Sequence, residues 1–106
     1  MNVFLYKADL FCESCGKEMR AILDRRGETP EDVENEYSFD SDDYPKGPYP
    51  DGGGEADTPQ HCGACSLFLE NPLTTDGLNY VQERVSLDKL TDTVRQWAKF
   101  YGLKGS

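Results

Sequence analysis

Long hydrophobic runs are missing from these 106 residues, and none approaches the ~20 apolar positions that cross a bilayer. No membrane association is therefore expected. Histidine occurs once, at position 61, and no Gly-x-Ser-x-Gly elbow is present. The usual nucleophile–base pairings are thus lacking, and no positive case for an enzyme emerges. Bases are scarce too, with 11 Lys and Arg against 20 Asp and Glu and a net charge of −9. Such a field repels phosphate backbones and disfavours direct nucleic-acid binding. The triple glycine at 52–54 has neither the lysine nor the Ser/Thr of a phosphate-binding loop. Residues Met1–Lys7 lack the basic and long apolar regions of a secretory signal, so a cytoplasmic protein is expected.

Core material is also thin. Hydrophobic residues make up 37% of the chain and charged residues 29%. At this length a single domain spanning 1–106 is expected, of a size and polarity that call for a covalent or metal staple. The charge is concentrated: eleven acids and one base, Lys46, lie between Glu28 and Asp57. That segment carries −10, and the rest of the chain +1. It suits either a solvated loop or a surface for a basic partner protein or a divalent cation. Neither Asp40-Ser41-Asp42-Asp43 nor Asp51 to Asp57 follows the ligand alternation of an EF-hand.

The four cysteines form two Cys-x-x-Cys pairs, Cys12/Cys15 and Cys62/Cys65, with none left over. Two intervening residues let both sulfurs of a pair face one ion, and two pairs supply the four soft ligands of tetrahedral zinc. Gly16 is in position to turn the chain away after the first knuckle. The pairs are 46 residues apart, against ~15–20 in usual zinc ribbons, so residues 28–60 are expected to loop out as an acidic Pro/Gly-rich insertion. Three alternatives stay open: two disulfides, a thioredoxin-like redox pair with Cys15 ahead of a helix, and His61 as a ligand or a support behind the ligands.

Along the chain, Val3–Phe11 reads as one half-buried strand with Phe4, Tyr6, Ala8 and Leu10 on one face. Lys17–Arg26 reads as a short helix with Met19, Ile22 and Leu23 inward, ended by Gly27. The long connection contains Tyr37, Phe39, Tyr44 and Tyr49, which predict that part of it is ordered. Ser66–Glu70 reads as a short strand, and Asn71-Pro72 and Asp76-Gly77 as turns. Residues 80–85 fit a strand or a helix start. From a Ser86 cap and Asp88 onward, Leu87, Leu90, Val94, Trp97, Ala98 and Tyr101 trace the inward stripe of an amphipathic helix that Gly102 closes.

The knuckles Cys12-x-x-Cys15-Gly16 and Cys62-x-x-Cys65 resemble the zinc-ribbon and treble-clef group of small zinc-binding domains. The stretch from Asp40 to Asp57, with Asn71 to Gly77, is similar to a family of small bacterial and phage proteins to which no activity is attached. The resemblance implies a zinc-bound fold, a phage or mobile-element setting and a binding rather than a catalytic role. The basic residues that surround the knuckles of nucleic-acid-binding ribbons are not found here.

The expected architecture is α+β: short antiparallel strands, a helix after the first knuckle, a long acidic loop and a C-terminal amphipathic helix, stapled by Zn2+. The expected function is a protein-interaction module whose acidic loop meets a basic surface, such as one that normally holds nucleic acid. The alternatives are a thiol redox or metal-handling protein and a structural part of a larger assembly.

Overall fold

The computed structural model describes residues 1–87 and 91–103. It is a small α+β fold with three antiparallel strands in the order β2-β1-β3 and three helices. Strand β1 is Val3–Tyr6, β2 is Asp9–Cys12 and β3 is Lys46–Tyr49. The single strand expected over 3–11 is therefore a hairpin. Its two-residue turn is Lys7-Ala8, with φ of 51° and 61° and Tyr6 paired to Asp9. Positive φ at both central positions matches the twist of the flanking strands, although neither residue is the Gly or Asn that usually announces such a turn. The Lys7 amide donates to the Ser41 carbonyl at 3.0 Å, which ties the turn to the acidic segment.

Central strand β1 has both faces covered, so Val3 and Phe4 are buried in succession rather than alternately. Val3 packs with Phe11, Cys12, Cys62 and Leu69. Phe4 lies against helix α1, Glu13–Arg25, which begins one knuckle earlier than Lys17. Gly16 is inside this helix and does not turn the chain. A Cβ there would sit 2.3 Å from the Phe4 ring, so glycine is needed for helix and strand to approach. Leu23 is buried as expected, whereas Ile22 is exposed. Gly27, with φ of 75°, ends the helix, and Glu28 N–H bonds back to Leu23 O at 2.9 Å.

Part of the acidic segment is built into the sheet. Arg20 of α1 donates through Nε and Nη2 to the Pro45 carbonyl at 2.9 and 2.7 Å. Its guanidinium lies between the Phe4 and Tyr44 rings, 4.7 and 5.0 Å from their centroids. Tyr44 is buried and donates to Asp24 at 2.9 Å, while Tyr49 donates to Glu36 at 2.9 Å. Tyr37, by contrast, is 90% exposed.

The segment after the second cysteine pair is not a strand. It makes one bridge, Phe68 to His61, and positive φ at Ser66 and Glu70 breaks the extension at both ends. Fully buried Asn71 organises the next stretch. Its Oδ1 accepts from Gln60 N at 2.7 Å, and its Nδ2 donates to the carbonyls of Thr58 and Pro72 at 3.2 Å each.

Helix α2 spans Thr75–Val85, so Asp76-Gly77 opens a helix and residues 80–85 complete it. Thr74 caps it by accepting from Gly77 N at 3.1 Å. The C-terminal helix α3 is Asp92–Tyr101, capped by Thr91 instead of Ser86. Ser86 instead ends α2, its hydroxyl donating to Gln82 O at 2.9 Å. Asp88 and Leu90 of the expected helix lie outside the described residues. Val81, Val85 and Val94 form a second core between α2 and α3, with Trp97, Ala98 and Tyr101 packed against it. Gly102 closes α3 in the left-handed conformation, as expected. Tyr101 joins this core to the first by donating to Asn71 O at 2.6 Å. Among the described residues no helix is long and apolar enough to cross a membrane.

The Gly16 contact makes a direct prediction. Alanine there gains about 1 kcal/mol of helix propensity but overpacks a buried ring, at about 1–3 kcal/mol. The ring and Cβ of Phe4 cannot swing aside, so Gly16→Ala is expected to lower the urea midpoint. An unchanged midpoint would show that α1 and β1 can separate freely.

Candidate metal centre

The hairpin and the helix register bring the first pair together. Cys12 is both the last residue of β2 and the residue preceding α1, and Cys15 lies in the helix's first turn. No side chain caps this helix start, which places the helix's positive end at Cys12 and Cys15. Only the second pair is a knuckle. Ser66 N donates to Cys62 O at 2.9 Å to close its turn, and Ala64 N donates to Cys62 Sγ at 3.4 Å. The Gly63 amide donates to Leu10 O at 2.9 Å, and this bond docks the turn on the edge of β2 just ahead of Cys12.

All four sulfurs therefore converge, each within 4.8 Å of every other. Cys12 Sγ and Cys65 Sγ are 3.7 Å apart. An ion bound at about 2.3 Å to each of four tetrahedral thiolates separates the sulfurs by about 3.8 Å. The cluster fits a metal ion in both donor type and size. The four cysteines are free thiols in this geometry, with Cys12 and Cys62 buried, Cys15 half-buried and Cys65 exposed.

The surroundings favour the thiolate at Cys62 and oppose it at Cys15 and Cys65. Burial pushes the Cys62 thiol up, but N–H donation from Cys12, Cys65 and Ala64 outweighs it and lowers the thiol to about 6. The Cys15 thiol is held well above its ordinary value, first by its hydrogen bond with Cys12 and then by burial. At Cys65 a Leu67 N–H favours the thiolate, yet the neighbouring Cys62 sulfur and burial carry the thiol upward. A divalent cation at the centre would favour the thiolate form of its cysteine ligands.

His61 is near the site but is not one of its donors. Its Nδ1 is 3.0 Å from the Ser66 carbonyl and must carry the proton, and its Nε2 accepts from Trp97 Nε1 at 3.0 Å. Both nitrogens are therefore engaged by protein groups, and the imidazole clamps the knuckle to α3. Phe68 reinforces this contact against Phe100 and Tyr101, with ring centroids 5.5 and 5.9 Å away. The role of Trp97 is not visible in a stripe pattern, which counts it only as apolar. Among the described residues, no other group of three or more His, Cys, Asp or Glu converges on a point. Asp40, Asp42 and Asp43 thus form no cation cage, nor do Asp51, Glu55 and Asp57.

No protein-family model, curated protein or solved structure matches the chain.

His61→Ala is expected to keep the metal stoichiometry of the parent while losing about 1–3 kcal/mol of stability through the unpaired Trp97 and Ser66 groups. Elemental analysis paired with urea unfolding reads both quantities. Loss of the ion would make His61 a ligand.

Proposed function

We propose that this protein is a zinc-stapled interaction module in which Cys12, Cys15, Cys62 and Cys65 hold one structural Zn2+. The convergence of four sulfurs from segments far apart in sequence carries this reading. Four soft thiolates in a tetrahedral cluster suit zinc and complete its shell, leaving no position for substrate. The role is thus structural, with metal binding coupled to folding and worth of order ten kcal/mol in small zinc peptides.

The acidic segment supplies the binding part of the proposal. Among the described residues the ion pairs are Glu13–Lys17 and Asp92–Arg95, and neither involves a carboxylate of 28–57. Lys46, the segment's base, sits instead over the Phe39 ring at 5.3 Å. Uncompensated charge on a segment pinned by Arg20, Tyr44 and Tyr49 suits a basic protein surface, including one that ordinarily holds nucleic acid. The setting we propose, a phage or mobile element, rests on the resemblance read from residues 40–57 and 71–77 alone. A dithiol redox role has one geometric point in its favour, the Cys12-x-x-Cys15 pair at a helix start. All four sulfurs nevertheless lie within 4.8 Å of one another across both pairs, which favours shared metal ligation over a two-cysteine redox couple.

Native mass spectrometry of protein purified without added metal is expected to show one zinc per chain. Chelation is expected to abolish the circular-dichroism signal, and Cys62→Ser to abolish zinc binding. Iron in place of zinc would sink the metal assignment, and a metal-free folded protein the staple itself. For the binding part, capture of a basic protein should weaken with salt and on combined Asp40→Asn, Asp42→Asn and Asp43→Asn substitution. Capture indifferent to both would refute a charge-driven interface.

A further inference from the structure

The four sulfurs are not equivalent in access. Cys65 is exposed, whereas Cys62 is buried and Cys15 half-buried. Cys12 is buried by its own surface yet forms part of the wall of an open cavity of about 320 Å3, together with Met1, Asn2, Glu13, Ser14 and Leu67. Neither Cys15 nor Cys62 lines that cavity. The Cys12 and Cys65 sulfurs are 3.7 Å apart, which sets the exposed cysteine against one on the cavity wall. They belong to different pairs.

We propose that Cys12 and Cys65 form an oxidative modification site, at which hydrogen peroxide joins them in a disulfide across the two pairs and releases the bound ion. This rests on the four-thiolate reading given above. The exposed Cys65 thiolate attacks one peroxide oxygen; an S–O bond forms, the O–O bond breaks, and the departing hydroxide is protonated to water. Cys65 is then a sulfenic acid. The Cys12 thiolate attacks that sulfur; the S–S bond forms, the S–O bond breaks, and a second hydroxide leaves as water. Two thiolates give up two electrons, one peroxide accepts them, and two protons come from solvent. Removing two of four ligands leaves only Cys15 and Cys62, too few for tight retention of the ion.

The pairing has a structural consequence that a bond within either Cys-x-x-Cys would not. A Cys12–Cys65 bond spans 53 positions and joins the same two segments that the metal joins, the β2–α1 junction and the knuckle. A disulfide closing so long a loop strongly restricts the unfolded chain. Oxidation therefore exchanges a metal staple for a covalent one, and the fold is kept while the ion is lost.

The test treats zinc-loaded protein with hydrogen peroxide, follows zinc with a chromogenic chelator, and maps disulfides by peptide mass spectrometry without reduction. The expected result is one zinc released per Cys12–Cys65 bond formed, with the circular-dichroism spectrum retained in excess chelator. Adding a reductant to that oxidised sample should then unfold it. Bonds confined to Cys12–Cys15 and Cys62–Cys65, or zinc release without retained structure, would overturn the proposal while the zinc reading stands. A protein that carries no metal before oxidant is added would remove both readings at that first step.

Discussion

Four sulfurs packed within 4.8 Å of one another are an unfavourable arrangement until a cation is placed among them. Backbone N–H groups of Cys12, Cys65 and Ala64 outweigh the burial that opposes the Cys62 thiolate, while the Cys15 thiol is held up by its hydrogen bond with Cys12 and then by burial. Much of the first half of the fold serves this contact. The hairpin delivers Cys12 to the start of α1, and α1 places Cys15 one turn later. The Gly63–Leu10 bond holds the second pair against the same strand. The core residues beside the cluster, Val3, Phe11 and Leu69, are few, so the sulfurs are themselves part of the apolar packing. A staple is needed because the hydrophobic effect has so little surface to act on here.

A second level of organisation surrounds this centre and consists of polar groups satisfied in unusual places. Arg20 uses a backbone carbonyl and two ring faces in place of a carboxylate, and so anchors an acidic segment without neutralising it. Asn71 is fully buried and bonded at both ends of its amide, and ties its own stretch to residues 58–60, both without regular structure. Tyr101 reaches it from α3, and burial together with nearby Glu70 pushes its hydroxyl up to about 12, so it stays a donor. These bonds stand in for the apolar contacts that a larger core would supply.

The metal cluster and the fold class were legible from residue spacing, while several boundaries were not, each for a local reason. The Lys7-Ala8 turn carries no Gly or Asn, so alternation through it looks unbroken. Gly16 after a cysteine pair suits a knuckle as well as it suits a close helix–strand contact, and only the distant Phe4 decides between them. Ser86 and Thr91 are both competent caps; Ser86 is used by the helix behind it through Gln82. The expected strand at 66–70 has suitable side chains, but its backbone is reversed at Ser66 and Glu70 to satisfy the knuckle and the Asn71 site. Trp97 was counted for its apolar face, and its N–H proved to matter equally.

That N–H gives the molecule an optical property of its own. The chain has one tryptophan, and its indole is bonded to the imidazole immediately preceding a cluster cysteine. Tyr80 is its other aromatic neighbour, at 6.3 Å between centroids. Any rearrangement of the knuckle must move His61 and so change the polarity and quenching around this single fluorophore. The centre thus carries a built-in emission reporter, readable without labels or added dyes.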